Sequence, residues 1–192
     1  MSIVTPIAAS PEKTPQPSDP AAPRLRCQWE RVQNIADELL ILTTRQHEES
    51  PDYQPYNPDW SRYFAMDRAG SCAVWTARTP ANVLAGYMVW LTTRGLHCAD
   101  KIFAVGDLAF LALEWRDGMR GYKFLKSGID AIAAACHPDI IHIETNCLYK
   151  DGRMGMLLAR LGFRKIGEVY ERRNYGDNPI PVLNSRGPVE RN

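Results

Sequence analysis

Gly106-Asp107-Leu108-Ala109-Phe110-Leu111-Ala112-Leu113, followed after a short loop by Gly118-Met119-Arg120-Gly121-Tyr122-Lys123, is the stretch on which the fold turns. From Ile102 to Leu113 the chain is apolar except for one carboxylate, Asp107, and the run predicts a long buried strand. Glu114-Trp115-Arg116-Asp117-Gly118 then leads into a helix predicted from Met119 to Cys136. A strand, a glycine-bearing loop and a helix in that order suit phosphate. The free amides of the helix's first turn and the positive end of its dipole converge on one spot. Gly118 and Gly121 let the backbone approach an anion without a Cβ in the way, and Arg120 and Lys123 add charge at the rim. A tight strand-to-helix turn needs glycines too, so the loop alone leaves both readings open.

Upstream, Trp29 to about Arg45 carries apolar residues at Val32, Ile35, Ala36, Leu39, Leu40 and Thr43, the spacing of an amphipathic helix. Pro51, Pro55 and Pro58, with Tyr53 and Tyr56 among them, predict a loop before a short helix around Trp60 to Met66. Cys72–Ala77 and Leu84–Thr93, separated by Thr79-Pro80-Ala81-Asn82, predict a hairpin. Downstream, His137-Pro138-Asp139 ends the long helix and Ile140–Thr145 follows as a buried strand. Asp151 is placed to cap a helix running to Leu161, Gly162 ends that helix, and Arg164–Arg172 is expected to be a last strand. Residues 1–23, crowded with proline among Ala, Ser and Thr, are expected to form a disordered arm. Residues 24–175 are expected to form one domain, and 176–192 a tail.

The 192 residues hold 23 Lys and Arg against 22 Asp and Glu, a formal net charge of +1. That balance lacks the basic surplus with which a protein grips duplex DNA by its phosphates. No apolar run is long enough to span a membrane, and the start of the chain lacks the plan of a signal peptide, so a cytoplasmic, non-membrane protein is expected. Cys27, Cys72, Cys98, Cys136 and Cys147 stand far apart, with no pair at zinc-ligand spacing. They read as reduced thiols, and no metal is called for.

The chain resembles the GNAT (Gcn5-related N-acetyltransferase) superfamily over roughly residues 73–172. The strand 106–113 followed by Arg120-Gly121-Tyr122 looks like the family's fourth strand and pyrophosphate loop. Arg160-Leu161-Gly162-Phe163-Arg164-Lys165-Ile166-Gly167 looks like its helix-to-strand signature, and the order of predicted elements matches. Asn57-Pro58-Asp59-Trp60, Ala85-Gly86-Tyr87 and the residues from Arg116 onward are similar to acetyltransferases often found in bacteriophage genomes. The loop departs from the family at Gly118, where Gln or Arg is usual, and at Lys123, where Gly or Ala is usual. A tyrosine that protonates the leaving thiolate in many members is replaced by Leu158, and the asparagine at the start of that helix by Asp151.

The resemblance implies a mixed, twisted central sheet flanked by helices, an α/β (α+β) fold, with acetyl-CoA as cofactor. It implies that the pantetheine arm pairs with the backbone at Leu111, Ala112 and Leu113, and that the pyrophosphate sits on the amides of Gly118, Met119, Arg120, Gly121, Tyr122 and Lys123. The strands centred on Leu111 and Thr145 would splay to admit the thioester. Asp107 falls where histone-acetylating members place their general base, and burial would raise its pKa toward the range useful for accepting a proton from an ammonium. Tyr149, from the preceding loop, or water is expected to take the place of the missing acid. His47 and Glu48, expected just after the first helix, and Tyr87 fall on the acceptor side, and Tyr53, Tyr56 and Tyr63 are candidates to line the same pocket. His142, alternating with Ile141 and Ile143, reads as an inner-sheet residue. The implied reaction is direct transfer of acetyl to a primary amine of a small molecule or of a protein lysine. The alternatives are a CoA-binding or protein-interaction module without turnover and a phage-type modifier of a macromolecule. Family members often form homodimers through terminal strands.

Overall fold

The computed structural model describes residues 24–49, 57–144 and 153–167. In chain order the elements are β1 (Arg26–Glu30), α1 (Val32–Glu49), α2 (Trp60–Arg68), β2 (Cys72–Arg78), β3 (Leu84–Arg94), β4 (Ile102–Leu111), a 3₁₀ turn (Leu113–Trp115), α3 (Arg120–Cys136), β5 (Ile140–Ile143) and α4 (Arg153–Arg160). The strands form one sheet in the order β1-β2-β3-β4-β5, antiparallel except for the parallel β4–β5 pair. No helix among the described residues is long and apolar enough to cross a membrane.

Helices cover both faces of the sheet. α1 buries Val32, Ile35, Leu39 and Leu42, one stripe at helical spacing, against Tyr87 and Val89 of β3, with Phe110 and Ala112 in the same cluster. α3 buries Phe124, Leu125 and Ile132 on the other face, against Met88, Trp90, Ala104 and Leu111. Residues of β3 thus alternate between two cores, and this central strand reads as an unbroken apolar run. Asp59 caps α2, its carboxylate accepting from the amide of Arg62 at 3.0 Å. Gly162, at φ +86°, ends α4 in the left-handed region, as expected of a C-terminal glycine.

The first helix does not begin at Trp29, because Arg26–Glu30 is a strand paired with β2 over its whole length. Cys27 pairs with Ala77 and Trp29 with Trp75 in register, and the two indoles meet edge to face at 5.0 Å. The helix instead extends to Glu49, so His47 and Glu48 lie in its last turn, not after it. Leu113 belongs to the 3₁₀ turn and not to the strand. Within the expected last strand, Arg164–Gly167 has no strand structure and Ile166 is exposed; the remainder of that stretch lies outside the described residues. Thr145, Tyr149, Asp151, Tyr53, Tyr56, Cys147 and both terminal segments also lie outside them.

Candidate active site: an open strand edge and a helix N-terminus

Among the described residues β4 and β5 are paired from Phe103 opposite Ile140 to Gly106 opposite Ile143. Residues 107–111 of β4 have no strand partner on the β5 side among the described residues, and we call this side of β4 the cleft. A bulge lies just past the last described pair. Val89 faces Leu108 and Trp90 faces Gly106, which leaves Asp107 as the extra residue in β4. Leu108 packs in the α1/α2 cluster, and Asp107 accepts a hydrogen bond from Tyr63 of that same cluster, so the two neighbours share one face. In a regular strand they would point to opposite faces.

The bulge therefore aims a carboxylate at the mouth of the cleft. Asp107 is open to solvent on one side, yet desolvation raises its carboxyl above the usual aspartate value. The charge of Glu144, just past β5, pushes in the same direction, and the Tyr63 hydroxyl opposes them.

The register also fixes which backbone groups face the cleft. Ala112 donates its amide to Ala85 at 2.8 Å, so Leu111, paired with Gly86, turns its own N–H and C=O away from β3. Ala109 does the same two residues earlier. Of the three strand residues expected to meet a pantetheine arm, Leu111 alone presents its backbone in strand geometry to the open edge: the amide of Ala112 is taken by β3 and Leu113 sits in the 3₁₀ turn.

Below the cleft, Arg116, Gly118, Met119, Gly121, Tyr122, Leu157 and Arg160 line a cavity of about 570 Å³ at the N-terminus of α3. Gly118, at φ +55°, makes the left-handed turn for which glycine is needed. Gly121 has no such backbone demand, and a Cβ there would meet nothing within 4 Å. The amides of Arg120 and Lys123 are bonded to the carbonyls of Asp117 and Met119 at 3.2 and 2.9 Å. The amides of Gly118, Met119, Gly121 and Tyr122 have no backbone acceptor among the described residues, so of the six amides expected to meet a pyrophosphate these four remain. Arg120 turns to Asp117 at 2.5 Å and lies over Trp115 at 5.4 Å, while Lys123 is exposed. Arg160 of α4 lines the cavity instead, a cation that sequence reading passed over because its distance in the chain hid its position.

Of the residues expected to meet the acceptor, His47 is half-buried and Glu48 exposed in the last turn of α1. Tyr87 is completely buried and donates its hydroxyl to Gln46, so it supports that turn from behind and offers no surface to an acceptor. Two ion pairs of opposite sense tie the same turn of α1 to the loop after β4, Arg45–Glu114 at 3.1 Å and Glu49–Arg116 at 2.7 Å. His142 packs edge-on against Phe103 at 5.7 Å, and Leu158 packs in the α3 core. Glu144 and Arg116 had no sequence signal that set them apart, since each gains its place only through strand pairing or loop path.

Solved acetyltransferases share this architecture. A ribosomal-protein-alanine N-acetyltransferase from Brucella melitensis superposes with a TM-score of 0.59 at 13% identity, over 78% of this chain and 99% of its own. An aminoglycoside acetyltransferase from an uncultured soil metagenomic sample gives 0.58 at 11% identity, over 78% and 97%. A Trypanosoma brucei acetyltransferase gives 0.59 at 10%, over 78% and 99%. The fold is the GNAT fold. No family model matches the chain, and no curated protein matches its sequence.

Proposed function

We propose that the protein is an N-acetyltransferase that moves an acetyl group from acetyl-CoA to a primary amine by direct attack, with Asp107 as general base. The observation that carries this reading is the bulge that sets Asp107, its carboxyl raised by desolvation, beside Tyr63 and Glu144 just past the last described β4–β5 pair. The residues present fit CoA. Leu111 turns an N–H and a C=O away from β3, the C=O being held by Arg116, while Gly121 and Tyr122 offer free amides beside Arg160, and the cavity at Gly121 is not filled by the protein's own packing. When bound, acetyl-CoA supplies an acetyl group activated as a thioester.

The chain's own residues do the rest. Gly121 and Tyr122 hold an anion by their amides at the helix N-terminus, and Arg160 adds its charge. Leu111 orients an extended ligand along β4. Asp107, with its carboxyl raised by desolvation, takes the proton from an incoming ammonium, directly or through one water, and Tyr63 fixes the carboxylate's direction. Positioning supplies most of the acceleration, since the aligned reactants need not meet by diffusion. Tyr149 is the proposed acid for the departing thiolate. His47 and Glu48 are the proposed contacts of the acceptor, a small amine or a protein lysine, and the near-neutral charge favours either over duplex DNA. The reaction would run in the cytoplasm.

Isothermal titration with CoA and with acetyl-CoA tests the donor, and the Asp107→Asn variant tests the base. Micromolar binding by both proteins, with transfer by the variant reduced about 10²- to 10⁴-fold, is the expected result. Unchanged transfer by Asp107→Asn removes Asp107 from this role. The second reading, a CoA-binding module without turnover, is favoured by Leu158, which fills the core where many members carry an acidic tyrosine. CoA binding with no transfer to any amine, peptide or modified nucleoside would establish it.

A further inference from the structure

Arg116 makes three contacts that the donor and base roles leave unused. Its Nε donates to the carbonyl of Leu111, its Nη2 pairs with the Glu49 carboxylate at 2.7 Å, and its guanidinium lies 4.8 Å from the centre of the Phe110 ring. The Leu111 carbonyl faces away from β3, on the side of β4 where no described strand pairs with it. Any extended ligand that pairs along that edge and donates an amide to Leu111 competes with Arg116 for it. Both side chains of the Glu49–Arg116 pair are about one-third exposed, 32% and 35%, so the pair is partly shielded from water. A charge-assisted bond in such a place is roughly twice as strong as a neutral one.

We propose that Arg116 is a latch on the open edge of β4. Its guanidinium holds the Leu111 carbonyl while the edge is free, Glu49 keeps it there, and the amide-bearing arm of CoA gains the carbonyl only when Arg116 turns away. The proposal rests on CoA being the donor. Arg116 is then a positioning residue, and because Glu49 belongs to the helix that walls the acceptor side, the latch joins the two halves of the site.

Titration of the full chain with CoA tests this. Glu49→Gln leaves the charge and shape of Arg116 intact but removes its ionic partner, and CoA is expected to bind about fivefold more tightly, a gain of about 1 kcal/mol. Arg116→Lys keeps the charge but cannot reach both partners in a planar fork, and a gain of similar size is expected. Glu114→Gln removes the same charge from the exposed Arg45 pair, and Glu114 is no hydrogen-bond partner of Arg116, which it feels only through space, so CoA affinity should stay within about twofold of wild type. Glu49→Gln added to Arg116→Met should produce no further change, because both act through one contact. Wild-type or weaker affinity in Glu49→Gln, or an equal gain in Glu114→Gln, overturns the latch. Failure of the wild type to bind CoA overturns the latch together with the donor reading, whereas binding that Glu49→Gln leaves unaltered overturns the latch alone.

Discussion

Asp107 is the residue at which strand geometry meets the proposed chemistry. As a lone carboxylate in an apolar run it is visible in sequence, but the two groups that tune it are not, since Tyr63 comes from α2 and Glu144 from the end of β5. A base must be unprotonated to act. With its carboxyl raised, transfer should fall as pH drops through a midpoint above the ordinary aspartate value of 3.8. Tyr63→Phe removes a bond that favours the charged form, so it should move that midpoint further up while leaving CoA affinity unchanged. A profile of kcat against pH for the two proteins checks both statements, and an unmoved midpoint in Tyr63→Phe would detach Tyr63 from Asp107.

At the scale of elements the site depends on how closely β3 and β4 lie together. Gly86 stands opposite Leu111, and a Cβ built on it comes within 2.9 Å of the Phe110 carbonyl and 2.7 Å of a Leu111 methyl. The carbonyl is backbone and cannot yield cheaply. Gly86→Ala should therefore cost about 1–3 kcal/mol in denaturant unfolding and weaken CoA binding, because β4 must shift at Leu111. The hairpin, the long strand and the helix after it were legible from β-branched and apolar runs. β1 was not, because Arg26–Glu30 is five residues long and runs almost directly into α1, so its alternation merged with the helical pattern.

The whole molecule is pinned on the side of the sheet away from the cleft by a charged group in its interior. Arg78, 5% exposed, is bonded to Glu30 at 2.7 Å and Glu38 at 2.8 Å, joining β2, β1 and α1. Burial pushes the Glu30 carboxyl up, but hydrogen bonds from Arg78, Thr76 and Gln28 and the charge of Arg78 outweigh it and hold it at about 2. A carboxyl depressed in the folded state stabilises the fold above its unfolded value. That contribution should be complete above pH 4.5 and lost as pH falls from there toward 2, which thermal melts across the range will show. Arg78→Met leaves two carboxylates without their cation and should cost about 3–5 kcal/mol, with most of the acid sensitivity in this window gone.

The sequence by itself determined the kinds of element and most of their order, because apolar periodicity, proline and glycine act over a few residues and do not need the rest of the chain. It also marked Asp107 and the loop from Gly118 to Lys123 as unusual. Only the tertiary structure decided that Asp107 sits in a bulge, that Leu111 and not Ala112 turns its backbone groups away from β3, that Arg160 faces the cavity at the N-terminus of α3 and that Arg116 closes on Leu111. Each of these depends on register or on the approach of distant segments. A one-residue change in pairing reverses the direction of every side chain and backbone group beyond it, and the energy that selects the register is spread over both cores.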